Sequence, residues 1–172
     1  MGIAKKIDSM AYAIAQGMTQ GALPLIGYNY ASKSKERFKE IIKTVFTFSL
    51  VIAVTGMICL LVFAVPISRY FIEDTETVRH GVKFLKIISL ACPTTSLNFM
   101  IVTIFQATGA SRRPLILSFL RKGGLDVPLM FIFDRIGGVD TIAWATPGAD
   151  VLALIVALIM LIPYIKEVTE NV

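Results

Sequence analysis

TVFTFSLVIAVTGMICLLVFAVPIS, Thr44 to Ser68, and IISLACPTTSLNFMIVTIFQATGAS, Ile87 to Ser111, are two runs of twenty-five residues without a charged side chain, in a chain of 172. A helix rises about 1.5 Å per residue, so either run is long enough to cross a hydrocarbon layer roughly 30 Å thick. Lipid offers no partner to a backbone N–H or C=O, and a helix satisfies both internally. The two runs predict an all-α integral membrane protein built as a helical bundle.

The remaining composition agrees. Apolar residues make up 55% of the chain and charged residues only 17%, too little polar surface to clothe a soluble domain of this size. The formal charge of +5 comes from basic residues lying mostly between apolar runs, where topology and lipid headgroups account for them better than nucleic acid does. Cys59 and Cys92 both stand inside apolar runs and read as small buried hydrophobes, neither a disulfide pair nor metal ligands.

Length and polarity give one membrane domain over residues 1–172 with about five spans: 9–28, 44–68, 87–108, 114–133 and 139–165. The first carries Gln16 and Gln20, the fourth Arg121, Lys122 and Asp126, and the fifth Pro147, Gly148 and Asp150. Such groups are costly in lipid, so these three spans are expected to lie against protein or water. Lys33, Lys35, Arg37, Lys39 and Lys43 crowd the connection before the second span, while Arg112, Arg113 and Lys166 fall on the same side. Basic residues on the other side are nearly as numerous, seven against eight, but scattered among acids, so the dense connection is expected to face the cytoplasm. Arg121 and Lys122 are expected to snorkel toward that face. The connection Arg69 to Lys86 reads as polar, with His80 solvated in it.

At 100° per residue, Ser9, Tyr12, Gln16, Thr19 and Gln20 share a sector of the first helix, with Gly17 and Gly21 beside it as a place for close helix approach. Thr95, Asn98 and Gln106 share a face of the third. Tyr12, Gln16, Gln20, Thr95, Asn98 and Gln106 are therefore candidates to line an interior pathway, or else act as hydrogen-bonding glue between helices. The second helix, with few hydroxyls among apolar residues, is expected to face lipid. Asp126 and Asp150 are the candidate ionisable groups. Asp126 reads either as a proton or cation site, or as an i, i+4 partner of Lys122 or a group exposed to water. Asp150 is deep if its helix starts near Val139, and merely a first-turn acid if Pro147 is the first helical residue. No nucleophile–base–acid constellation, metal-ligand spacing or phosphate-binding glycine loop occurs, so neither an enzyme nor a cofactor is expected.

QGALPLIGYNYASKSKERFKE, Gln20 to Glu40, resembles the segment that closes the second helix of each lobe in multidrug and toxic compound extrusion (MATE) transporters. FQATGASRRPLILSFLRKG, Phe105 to Gly123, is similar to that family's later Gln-x-x-Gly loop with the proline-led helix behind it. WATPGADVLALIVALIML, Trp144 to Leu161, is similar to its last span. The resemblance implies a partial six-helix carboxyl-terminal lobe, about spans 8 to 12 of twelve, with an amino-terminal lobe and span 7, or another subunit, as partner. It further implies proton- or sodium-coupled, alternating-access efflux of small cationic or amphipathic substrates from a bacterial plasma membrane, with the lobe inactive alone. The helix that matches span ten lacks the acid that one branch of the family uses for its cation. A lipid-linked sugar flippase of the same superfamily and a non-transporting membrane adaptor are the alternatives.

Overall fold

The computed structural model describes the backbone of residues 2–71, 75–110, 112–137, 141 and 143–171, and the side chains of 13, 16–70, 78–110, 112–135, 141 and 143–169. Within them the chain winds as α1 (Gly2–Ala31), α2 (Lys35–Phe71), α3 (Thr75–Ser89), α4 (Cys92–Ala107), α5 (Arg112–Phe119), a π-helical segment (Leu120–Asp126), α6 (Val127–Gly137) and α7 (Ala145–Asn171). α2 and α7 are each long and apolar enough to cross a membrane, and α3 with α4 makes a third, bent by 40° between Ser89 and Cys92.

Local chemistry sets the joints. Lys33 closes α1 in the left-handed region, φ 54°, while the Ser32 amide donates back to the Tyr28 carbonyl. A positive φ costs a residue with a side chain, and it turns the chain at once into α2. At the bend, the Leu90 and Ala91 amides donate to carbonyls only three residues back, and Pro93 at the start of α4 has no amide to continue the ladder. α4 ends on Gly109, φ 81°, with the Gly109 amide donating to Gln106 and the Ala110 amide to Phe105. That paired bonding beyond a left-handed residue is a Schellman stop, and it is why a glycine stands in FQATG.

α4 is the hub. Met100, Ile101, Ile104 and Phe105 are buried along it, with Ile26 from α1, Phe38 from α2, Leu117 from α5 and Leu161 and Tyr164 from α7 packed around them. α7 presents Ala145, Ala149, Ala153 and Ala157, one per turn, to this core. A small-residue stripe lets two backbones approach closely in a medium that gives no hydrophobic push. The opposite side of α7, and most of α2, expose Val51, Val62, Phe63, Ile155 and Ile159, side chains suited to lipid. A buried hydroxyl pair, Ser49 Oγ to Ser96 Oγ at 2.6 Å, ties α2 to α4.

Several details depart from the sequence reading. The connection expected to be polar coil is helical from Thr75, so exposed His80 sits on α3. Cys59 is exposed on the outward side of α2, and Cys92 is half-buried. A Cβ added at Gly17 or Gly21 meets nothing, so the close approach expected there does not occur among the described residues. At Gly27 the added Cβ would stand 3.5 Å from the Ala107 carbonyl oxygen, the contact where α1 meets α4.

Candidate functional site

The deepest charges in the bundle face one another. α7 begins at Ala145, which places Pro147 in its first turn and Asp150 in its second, and Asp150 is only 2% exposed. The Arg121 Nε donates to Asp150 Oδ1 at 2.6 Å, and Arg121 itself is 8% exposed. The Thr95 hydroxyl donates to Asp150 Oδ2. Asn98 donates its side-chain amide to the Asp150 carbonyl oxygen at 2.9 Å. The Arg121 guanidinium also lies 5.0 Å over the Phe99 ring.

Each element contributes for a reason. Thr95 and Asn98 are three apart on α4 and so share its inner face. The alanine stripe brings α7 close enough for short polar side chains to reach across. The π-helical winding of Leu120–Asp126 carries Arg121 inward, although the flanking residues Phe119 and Val127 keep ordinary helical angles. One guanidinium and one carboxylate compensate each other inside a bundle where either alone would be severely penalised. A small cavity of about 50 Å³ adjoins the cluster, with Asn98, Ser118, Arg121 and Lys122 on its polar wall.

A second polar cluster closes the opposite end of α7. Tyr164 Oη and Thr108 Oγ1 are 2.7 Å apart, and the Thr108 hydroxyl donates to the Ile104 carbonyl, which leaves the tyrosine as donor between them. The Arg113 guanidinium stacks 4.1 Å above the Tyr164 ring, with Glu167 at 3.8 Å. The cluster joins the end of α4, the start of α5 and the end of α7.

The candidates named from sequence separate into three groups. Thr95, Asn98 and Asp150 are brought together, buried. Gln16, Gln20 and Gln106 are exposed, away from that cluster. Thr19 turns inward and donates to the Gln16 carbonyl at 3.0 Å, so the polar stripe on α1 is split between two faces. Tyr12 lies on α1 with its side chain outside the described residues. Asp126 ends the π-helical segment, half-buried, with Oδ1 enclosed and lacking a hydrogen-bond partner. Arg121 departs most from expectation: it does not snorkel to the membrane surface but is drawn inward by Asp150. The sequence held one sign of this, since two opposite charges within predicted spans are cheapest when paired. Their separation along the chain left no periodicity to reveal the partner.

Comparison with known proteins places these features. The family model described as MatE matches residues 1–132. The chain is similar to the multidrug export protein MepA of Staphylococcus aureus (strain MSSA476), 29% identical over 164 residues, which is 95% of this chain and 36% of that protein. MepA of Staphylococcus haemolyticus (strain JCSC1435) is 27% identical over 157 residues, 91% of this chain and 34% of that protein. Among solved structures, an inward-facing multidrug resistance MATE family transporter of the MOP superfamily superposes with a TM-score of 0.90 at 17% identity, over 97% of this chain and 39% of the other. The MATE multidrug transporter DinF-BH superposes with a TM-score of 0.84 at 27% identity, over 93% of this chain and 36% of the other. The chain therefore spans roughly a third of the length of the relatives it matches.

Proposed function

Because this multi-pass membrane chain belongs to the MatE family of multidrug transporters, we propose that it forms part of one lobe of a secondary active exporter of small organic cations. Export would proceed by alternating access, driven by a proton or sodium gradient. The family match over residues 1–132 carries this reading. The relatives are multidrug export proteins, which supports export of small molecules as the activity.

The residues divide the work. Gln16, Gln20 and Gln106, exposed on this chain, are assigned to the surface turned toward a companion lobe, where amides offer donors and acceptors to varied solutes without a fixed charge. Asp150, with Arg121, Thr95 and Asn98, is the ionisable centre, because an intramembrane carboxylate held in a polar cluster is the group whose charge state a transport cycle can use. A lipid-linked sugar flippase would carry more basic residues within the cleft; only Arg121 and Lys122 qualify here, and Arg121 is ion-paired with Asp150.

The test is efflux of ethidium from cells stripped of their own exporters. Expressed as these 172 residues, the chain is predicted to give no efflux above background, and co-expression with the other lobe of a MatE relative is predicted to restore it. Gradient-driven efflux by the purified 172-residue chain alone would overturn the division into lobes. Normal assembly of both lobes without efflux would overturn export.

A further inference from the structure

Two apolar stripes run along the outside of α5 and α7, and each is capped by a basic residue. On α5, Leu115, Ile116 and Phe119 are exposed, three, four and seven residues after exposed Arg112. On α7, Ile159 and Ile162 are exposed, seven and four residues before exposed Lys166. Such spacings put each stripe and its cap on one helical face. The two elements are antiparallel: Arg113 stacks 4.1 Å above the Tyr164 ring, and Arg121, eight residues on, meets Asp150. Both caps therefore stand at the same end of the bundle, at the start of α5 and the end of α7, with apolar side chains beneath them.

The charges at this corner call for an anion. The first turn of α5 reads Arg-Arg-Pro and holds no acid, so two guanidiniums stand at the positive end of a helix dipole. Arg112, Arg113 and Lys166 outnumber the acids beside them in sequence, Glu167 and Glu170. Glu167 faces Arg113, at 3.8 Å, and Glu170 follows Lys166 by four, the weaker order for a helical ion pair. The five basic residues from Lys33 to Lys43 add to the field at this end, where Gly27 of α1 meets Ala107 of α4.

We propose that Arg112 and Lys166 hold the phosphodiester of one anionic phospholipid, whose acyl chains lie along the two apolar stripes. Packed helices stand roughly 8–10 Å apart, a gap that long arginine and lysine side chains close onto a single phosphate. A zwitterionic headgroup brings no net charge to a corner that is net positive, and a free phosphate leaves the stripes without a partner. The site rests on the chain lying in a membrane and not on the export reading.

Native mass spectrometry tests it. The 172-residue chain is released from nanodiscs made with equal amounts of phosphatidylglycerol and phosphatidylcholine, and the lipids that stay bound are identified and counted. One phosphatidylglycerol is expected to be retained in preference to phosphatidylcholine. Arg112→Gln and Lys166→Gln change exposed residues, so folding is retained, and each is expected to lower that preference roughly fivefold, the effect of one basic residue near an anionic headgroup. Lys39→Gln, an exposed residue of α2 at the same end, is expected to leave it unchanged. Equal retention of both lipids, equal effects of all three substitutions, or displacement of the lipid by inorganic phosphate alone would overturn the site. So would loss of the lipid once the companion lobe of a MatE relative is assembled with the chain, since the stripes would then be a contact between lobes.

Discussion

Asp150 and Arg121 show at the residue scale how a bundle can hold charge within a membrane. Their pairing is legible only in three dimensions, since Asp150 comes from the second turn of α7 and Arg121 from a π-wound turn. Removing one partner leaves the other buried and uncompensated, so Asp150→Ala is expected to destabilise the chain by about 3 kcal/mol. Replacing both, as Arg121→Met with Asp150→Leu, is expected to recover most of that loss, since packed apolar side chains need no compensation. Reversible unfolding in micelles completes the double-mutant cycle; additive single-site losses would mean that the two groups do not act as a pair. At the other end of α7, Tyr164→Phe removes the hydroxyl bonded to Thr108 while keeping the ring beneath Arg113, and is expected to cost about 1 kcal/mol.

α4 joins these residues into a working element. Its inner face carries Thr95 and Asn98 against α7, whereas Gln106, two turns further along, is exposed. Helical periodicity placed all three on one side, which was as far as sequence could go. Which part of that side is covered depends on how far α7 extends and on the alanine stripe that draws it in. Asn98→Leu is therefore expected to lower thermal stability and activity together, because the amide bond to the Asp150 carbonyl is lost inside the bundle. Gln106→Leu is expected to leave stability unchanged and to alter transport alone. Thermal unfolding measured beside efflux separates them, and equal destabilisation by both would refute the division. The apolar runs revealed the membrane bundle plainly, since lipid imposes its own length. The bend before Pro93 and the π winding were hidden because no residue type prescribes them alone. Asp126 was legible as an acid out of place, but its unsatisfied oxygen depends on winding that the sequence does not spell out.

The whole molecule combines a lipid-facing exterior with a polar cluster on its hub helix, in the MatE family fold. Residues 31–43, which the structure divides between the α1–α2 joint and the first turns of α2, carry five basic residues and are predicted to face the cytoplasm. A cysteine at Ser34 should resist an impermeant thiol reagent applied to intact cells, while one at Arg79, beyond the far end of α2, should react; the reverse pattern would invert the topology. The central functional claim is that Asp150 is the ionisable centre of an exporter. It is tested most directly by gradient-driven efflux of a cationic dye in vesicles, normalised to correctly folded protein, for the assembled exporter with Asp150 or with Asp150→Asn. The predicted result is at least a roughly tenfold loss of efflux per folded molecule, equivalent to about 1.4 kcal/mol of the driving interaction. Equal efflux per folded molecule would contradict the account, leaving the Arg121–Asp150 cluster as a structural tie alone.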